Sequence, residues 1–203
     1  MQINIDKKTG VFLAIIILLS TLLFTISVNR DGDSGFMGMG DHNSSMHSTN
    51  TSAKYTGADV MFLQMMIPHH QQAVDISNLA LKSSKDAELL ALARTIRDAQ
   101  TAEIAQMKAW LKDAGAGTDM GHSMDGMGGM LDDTELSALA AATGKNFDIL
   151  WLKGMIGHHD GAIHMTTMIN DAKNVDIKRF GENVVKAQSA EIKQMEAMLA
   201  RLS

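Results

Sequence analysis

Apolar side chains recur along most of this chain with the spacing of one face of an α-helix. At about 100° per residue, Phe62, Met66, Ala73, Ile76 and Ala80 fall on one face, and Gln64, Pro68, Gln71, Asp75 and Asn78 fall opposite. The pattern predicts a helix from a capping-box-like start at Thr56 and Asp59, with Asp in place of the longer Glu or Gln, to about Lys82. Leu89, Ala93, Ile96, Met107 and Leu111 mark a second helix from about Asp86 to Ala114, stopped by Gly115. A short helix from about Asp133 to Ala142 ends at Gly144. Trp151, Met155, Ala162, Met165 and Ile169 mark a third long helix over about Phe147 to Ala172, and Val184, Ile192, Met195 and Leu199 a fourth over about Asp176 to Leu202. A helix hairpin cannot bury such a stripe alone, so two hairpins predict an all-α four-helix bundle.

The N-terminus has a different texture. Val11 to Val28 is uncharged and apolar, follows Lys7 and Lys8, and is longer than the usual core of a secretion signal. It is expected to be an uncleaved membrane anchor with the N-terminus in the cytoplasm and the remainder outside; cleavage would make the protein secreted. The expected organisation is an anchor over 1–28, a flexible tether over 29–54 and the bundle over 55–203. Within the bundle, one repeat spans 55–115, a linker 116–131 and a second repeat 132–203.

The repeats are read from two phrases. Met65-Met66-Ile67-Pro68-His69-His70 returns as Gly154-Met155-Ile156-Gly157-His158-His159, and Ala-Gln-x-Ala-Glu-Ile-x-Gln-Met runs from Ala99 to Met107 and again from Ala187 to Met195. The offsets are 158 − 69 = 89 and 188 − 100 = 88, so one residue was gained or lost between paired helices. Duplication is its own control, because kept features stand out from drifted ones. Imidazole, thioether and carboxylate were kept.

Composition narrows the chemistry. With 17 Met, 8 His, 17 Gly, 1 Pro, no Cys and a net charge of −5, the chain has neither thiolate ligands nor disulfides, and no basic excess to hold nucleic acid. Met37, Met39, His42, Met46 and His47 lie in the tether, and Met120, His122, Met124, Met127 and Met130 in the second Gly-rich stretch. In such segments there is no core to fill, and interleaved thioethers and imidazoles suit a soft ion such as Cu(I) or Ag(I).

Within the helices, His69 and His70 flank Met66, and His158 and His159 flank Met155, all toward the core. Gln100, Glu103 and Met107, and likewise Gln188, Glu191 and Met195, lie on the apolar stripes of the partner helices; counted from the turns, Gln100 and Gln188 are at the height of the histidines, with Glu103 about one turn beyond. A carboxylate on a core stripe is costly unless paired or metal-bound. The stratum reads as a metal site, copper first and as Cu(I), zinc second. Two alternatives stand beside it: a metal-dependent oxidase, for which the stripes lack the carboxylates of a ferritin-type centre, and a helical adaptor whose histidines only satisfy one another. Pro68 and Gly157, directly before the histidine pairs, are expected to weaken the helices there.

The paired phrases resemble the domain-of-unknown-function 305 family, over about Tyr55 to Leu202. The resemblance implies a small ferritin-like bundle exported across a membrane, with a copper-binding or copper-resistance role and a copper transporter or carrier as partner. It implies Met66, His69, His70, Met155, His158 and His159 as ligands, faced by Gln100, Glu103, Met107, Gln188, Glu191 and Met195. Lys153-Gly154 stands where the second motif commonly has Glu-Met, and Ile76 where Met is frequent, which thins the thioether and carboxylate supply.

Overall fold

A computed structural model of the protein describes residues 54–119 and 127–202. Within them the chain is all-helical: α1 (Gly57–Ser83), α2 (Ala87–Asp113), α3 (Asp133–Ala141), α4 (Gly144–Met165), a 3-10 segment (Thr166–Ile169) and α5 (Val175–Leu202). Helix α1 packs along α2 and α4 along α5, and the two hairpins meet through α1 and α4. Among the described residues no helix is long and apolar enough to cross a membrane, and the expected anchor and all of the tether but Lys54 lie outside them.

Local chemistry sets the helix ends. The Thr56 hydroxyl accepts from Asp59 N–H at 3.1 Å and the Asp59 carboxylate accepts from Thr56 N–H at 2.7 Å, so the short Asp completes the capping box. Asp86 accepts from the N–H groups of Glu88 and Leu89, and Asp132 closes a second box with Glu135. Gly115, at φ 69°, ends α2, with Ala116 N–H donating to the Leu111 carbonyl. Two boundaries differ from expectation. Gly144 begins α4 rather than closing the short helix, and α4 gives way to 3-10 geometry after Met165 instead of running to Ala172. The hydroxyls of Thr166 and Thr167 donate to the carbonyls of Ile163 and His164 at 2.7 Å, a back-bonding that accompanies the tightened turn.

The core is cut in two. One apolar cluster joins Phe62, Leu63 and Met66 of α1 to Met107 and Leu111 of α2, Met165 of α4 and Phe180 and Val184 of α5. The other joins Ile76 and Ala80 of α1 to Leu89 and Ile96 of α2, Trp151 and Met155 of α4 and Met195 and Met198 of α5. The N-terminal half of α1 thus shares a cluster with the C-terminal halves of α2 and α4, so α1 runs antiparallel to both. Between the clusters lie the buried polar residues of the mid-helix positions: His69, His70, Gln100, His158, His159, Gln188 and Glu191. Trp151, fully buried, donates from Nε1 to the Ile76 carbonyl at 3.1 Å and ties α4 to α1.

Helices α1 and α4 continue unbroken through Pro68 and Gly157. A Cβ on Gly157 would meet open space, and nothing in the structure requires glycine there. The linker departs from expectation at its end. Met127 is half-buried against the first cluster and Leu131 is buried in the second, so residues 127–131 do find a core to fill.

Candidate metal centre

Helical periodicity puts His69 and His70 three and four residues after Met66, and His158 and His159 three and four after Met155, on neighbouring turns of the same helix. All four imidazoles are fully buried. The rings of His69 and His158 lie with centroids 3.7 Å apart and planes tilted by 36°, which brings the two halves into contact at the middle of the molecule. Each adjacent pair, His69 with His70 and His158 with His159, has centroids 6.3 Å apart.

The Nε2 atoms are all engaged. His70 Nε2 pairs with Glu103 Oε2 at 2.8 Å, and His159 Nε2 with Glu191 Oε2 at 2.8 Å. His69 Nε2 lies 2.9 Å from the Gly128 carbonyl and His158 Nε2 3.0 Å from the His69 carbonyl. A carbonyl or carboxylate oxygen only accepts, so each Nε2 carries a proton, and in His69 and His158 the neutral ring keeps its lone pair on Nδ1. The four Nδ1 atoms are buried without a hydrogen-bond partner. So are both side-chain atoms of Gln100 and the Oε1 of Gln188. Buried polar atoms are nearly always satisfied, and a concentration of orphans at one level needs a reason.

Burial in an apolar surround pushes the His69 imidazolium down to about 3, opposed in part by the Gly128 carbonyl. His158 is likewise held well below the ordinary histidine range by burial, then by its histidine neighbours. Both rings are neutral at physiological pH, the state a metal ligand needs. Met66, Met107, Met155 and Met195 are fully buried, with the first two in one apolar cluster and the last two in the other. Among the described residues, no three His, Asp or Glu side chains are arranged to close on one ion. Glu103 and Glu191, expected as ligands, accept hydrogen bonds from His70 Nε2–H and His159 Nε2–H.

Met120, His122 and Met124 lie outside the described residues, whereas Met127 and Met130 are half-buried in the non-helical stretch 127–131. Sequence reasoning missed two participants, the carbonyls of Gly128 and His69, because a main-chain acceptor leaves no side-chain signature.

A profile of the family described as "Domain of unknown function (DUF305)" matches residues 59–199. The chain belongs to the DUF305 family. Among solved structures, a DUF305 fragment from Deinococcus radiodurans is 32% identical, with a TM-score of 0.68 over 72% of this chain and 97% of that one. A Streptomyces coelicolor DUF305 protein, named as secreted, is 32% identical with a TM-score of 0.67, covering 71% of this chain and 92% of its own. The Cu(I)-bound form of CopM is 32% identical with a TM-score of 0.61, covering 72% of this chain and 97% of its own; CopM has also been solved with Cu(II) and with Ag. A comparison with curated proteins gave no match.

Proposed function

We propose that this DUF305 protein binds copper ions outside the cytoplasm, with Cu(I) preferred over zinc, and holds them for buffering, delivery or resistance. The observation that carries the reading is the set of four buried, unpartnered Nδ1 atoms at one level of the fold, in a protein without thiols. Thioether with neutral imidazole is a soft-to-borderline donor set, and solved CopM structures with Cu(I), Cu(II) and Ag support the same class of ion. His69, His70, His158 and His159 are the imidazole donors, with Met66, Met107, Met155 and Met195 as the candidate thioethers. Glu103 and Glu191 hold two of the rings. Because no ready cage of three His, Asp or Glu stands among the described residues, loading requires rings or thioethers to turn.

The Met- and His-bearing linker, with Met120, His122, Met124, Met127 and Met130, captures the ion and passes it inward. The run from Val11 to Val28 anchors the protein in the membrane, placing the bundle where a copper transporter or carrier can exchange ions with it. The test is anaerobic competition of the full chain against a chromophoric Cu(I) chelator, with zinc in a parallel series. The reading expects the protein to withdraw Cu(I) from the chelator and to lose zinc on dialysis. Retained zinc with no competition for Cu(I) overturns the choice of metal.

A further inference from the structure

Among the described residues, one stretch that is not helical lies against the histidine stratum. Residues 127–131 cross it as a non-helical strap, folded by a Met130 N–H to Met127 carbonyl bond of 2.9 Å. The Gly128 carbonyl sits on His69 Nε2, and Gly129 beyond it is exposed. One thickness of chain therefore separates a fully buried imidazole from solvent.

The strap has a seat made for it. A Cβ on Gly161 of α4 would overlap the Gly128 carbonyl, and a Cβ on Gly129 would overlap the Gly157 carbonyl, so backbone lies directly on backbone. A Cβ on Gly154 would come within 3.0 Å of the Leu131 side chain. At the 89-residue offset of the histidines, Gly161 corresponds to Gln72 (161 − 89 = 72), and that side chain is a clamp. Gln72 Nε2 donates to the Leu131 carbonyl at 2.9 Å and Leu131 N–H donates to Gln72 Oε1 at 2.8 Å. The glycine of one repeat makes room for the strap and the glutamine of the other fastens it.

A segment held by a few side-chain contacts, with no ladder of its own, opens at lower cost than a helix whose main-chain bonds must break together. Resting on the copper-binding reading, we propose that residues 127–131 are a latch, and that a soft cation enters and leaves the histidine stratum when the strap lifts from Gly161. The strap continues directly from the Met- and His-bearing linker, so capture and gating occupy one stretch of chain. Lifting also releases His69 from the carbonyl that holds its Nε2 proton, freeing the ring to turn.

Two variants of the full chain test the latch. Gln72→Leu removes both fastening bonds at similar volume, and Gly161→Ala leaves no seat for the strap while favouring the helix beneath it. Circular dichroism verifies the fold. In Gly161→Ala, which keeps the Gln72 acceptor, amide hydrogen exchange at Leu131 in metal-free protein reports lifting without reference to copper. Loss of the seat is expected to speed that exchange, and either variant to speed the release of bound Cu(I) to excess chelator, by about tenfold or more, with a smaller change in equilibrium affinity. Faster exchange with unchanged Cu(I) release overturns the latch and moves the route to another edge, such as the one beside Glu103. Unchanged exchange in Gly161→Ala shows that the seat does not hold the strap, and overturns it too. Wild-type protein that takes up no Cu(I) overturns the binding reading instead.

Discussion

In the first hairpin the inner histidine, His69, reaches out to a strap carbonyl, and the glutamate behind His70 keeps 23% of its side chain in solvent. In the second, the matching His158 reaches across to the backbone of α1, and the glutamate behind His159 keeps only 8%. The same residues at the same offset have thus acquired different surroundings, and the strap is the cause on one side. The strap meets the two matched helices differently, bonded to His69 and Gln72 of α1 and lying on the backbone of α4 at Gly157 and Gly161, so the symmetry of the sequence is broken where the linker returns to the bundle.

The largest expected effects test what the halves share. Met66 and Met155 are both fully buried, in different apolar clusters, and truncation to Ala should cost about 2–5 kcal/mol in each case. Thermal or denaturant unfolding of Met66→Ala and Met155→Ala checks it. A variant that loses nothing would mark its cluster as loosely packed.

The second effect is on pH dependence. In the folded protein His69 titrates near 3 and His158 also well below its ordinary value, whereas in the unfolded chain both titrate near 6.5. The unfolded state therefore takes up protons first, and metal-free protein loses stability as pH falls below 6.5. Above that value these rings give no slope. Between pH 6.5 and 5, His69 should contribute a loss of about 2 kcal/mol and His158 a loss of the same sign. Denaturant midpoints for His69→Ala and His158→Ala across this window should each lack one share of the slope. Loss of the whole slope with one ring would show that the stacked pair titrates as a unit.

Most of the fold was legible before any coordinates. The four long stripes predicted the four long helices to within a few residues at most ends, and equal distances from the turns brought His69 and His70 level with Gln100, with Glu103 about one turn beyond. What escaped has a physical reason in each case. The early end of α4 coincides with hydroxyl back-bonding by Thr166 and Thr167 that apolar periodicity does not register. The strap escaped because its seat is assembled from Gln72 and Gly161, far apart in sequence, and Gly161 fits the helical pattern whatever its packing role. The stratum was visible as a level, but which ring nitrogen faces a partner depends on Glu103, Glu191 and two carbonyls, and only three dimensions decide that.

The third expectation separates the halves. Glu191→Ala leaves the His159 Nε2–H in a dry surround and should cost about 1–3 kcal/mol, while Glu103→Ala, open to water, should fall at the lower end of that range. If these carboxylates orient rings, each loss should also weaken Cu(I) binding by roughly 10–100-fold. Equal stability losses would remove the distinction drawn from exposure. The smallest effect lies at the far end of the bundle, where Arg201 of α5 meets Asp86 and Glu88 at the start of α2. Arg201 and Glu88 are about half in water, so Arg201→Ala should cost under about 1 kcal/mol, and salt should shrink even that.

The chain carries only two indoles, and they fall on opposite sides of the polar layer. Trp151 belongs to the cluster that holds Met155 and Met195, and Trp110 packs against the cluster that holds Met66 and Met107, with its ring 5.4 Å from that of Phe180. Intrinsic fluorescence therefore has one lamp on each side of the stratum. In Trp110→Phe and Trp151→Phe proteins, each retaining a single emitter, the order in which the two lamps dim during a titration gives the order in which the two halves fill.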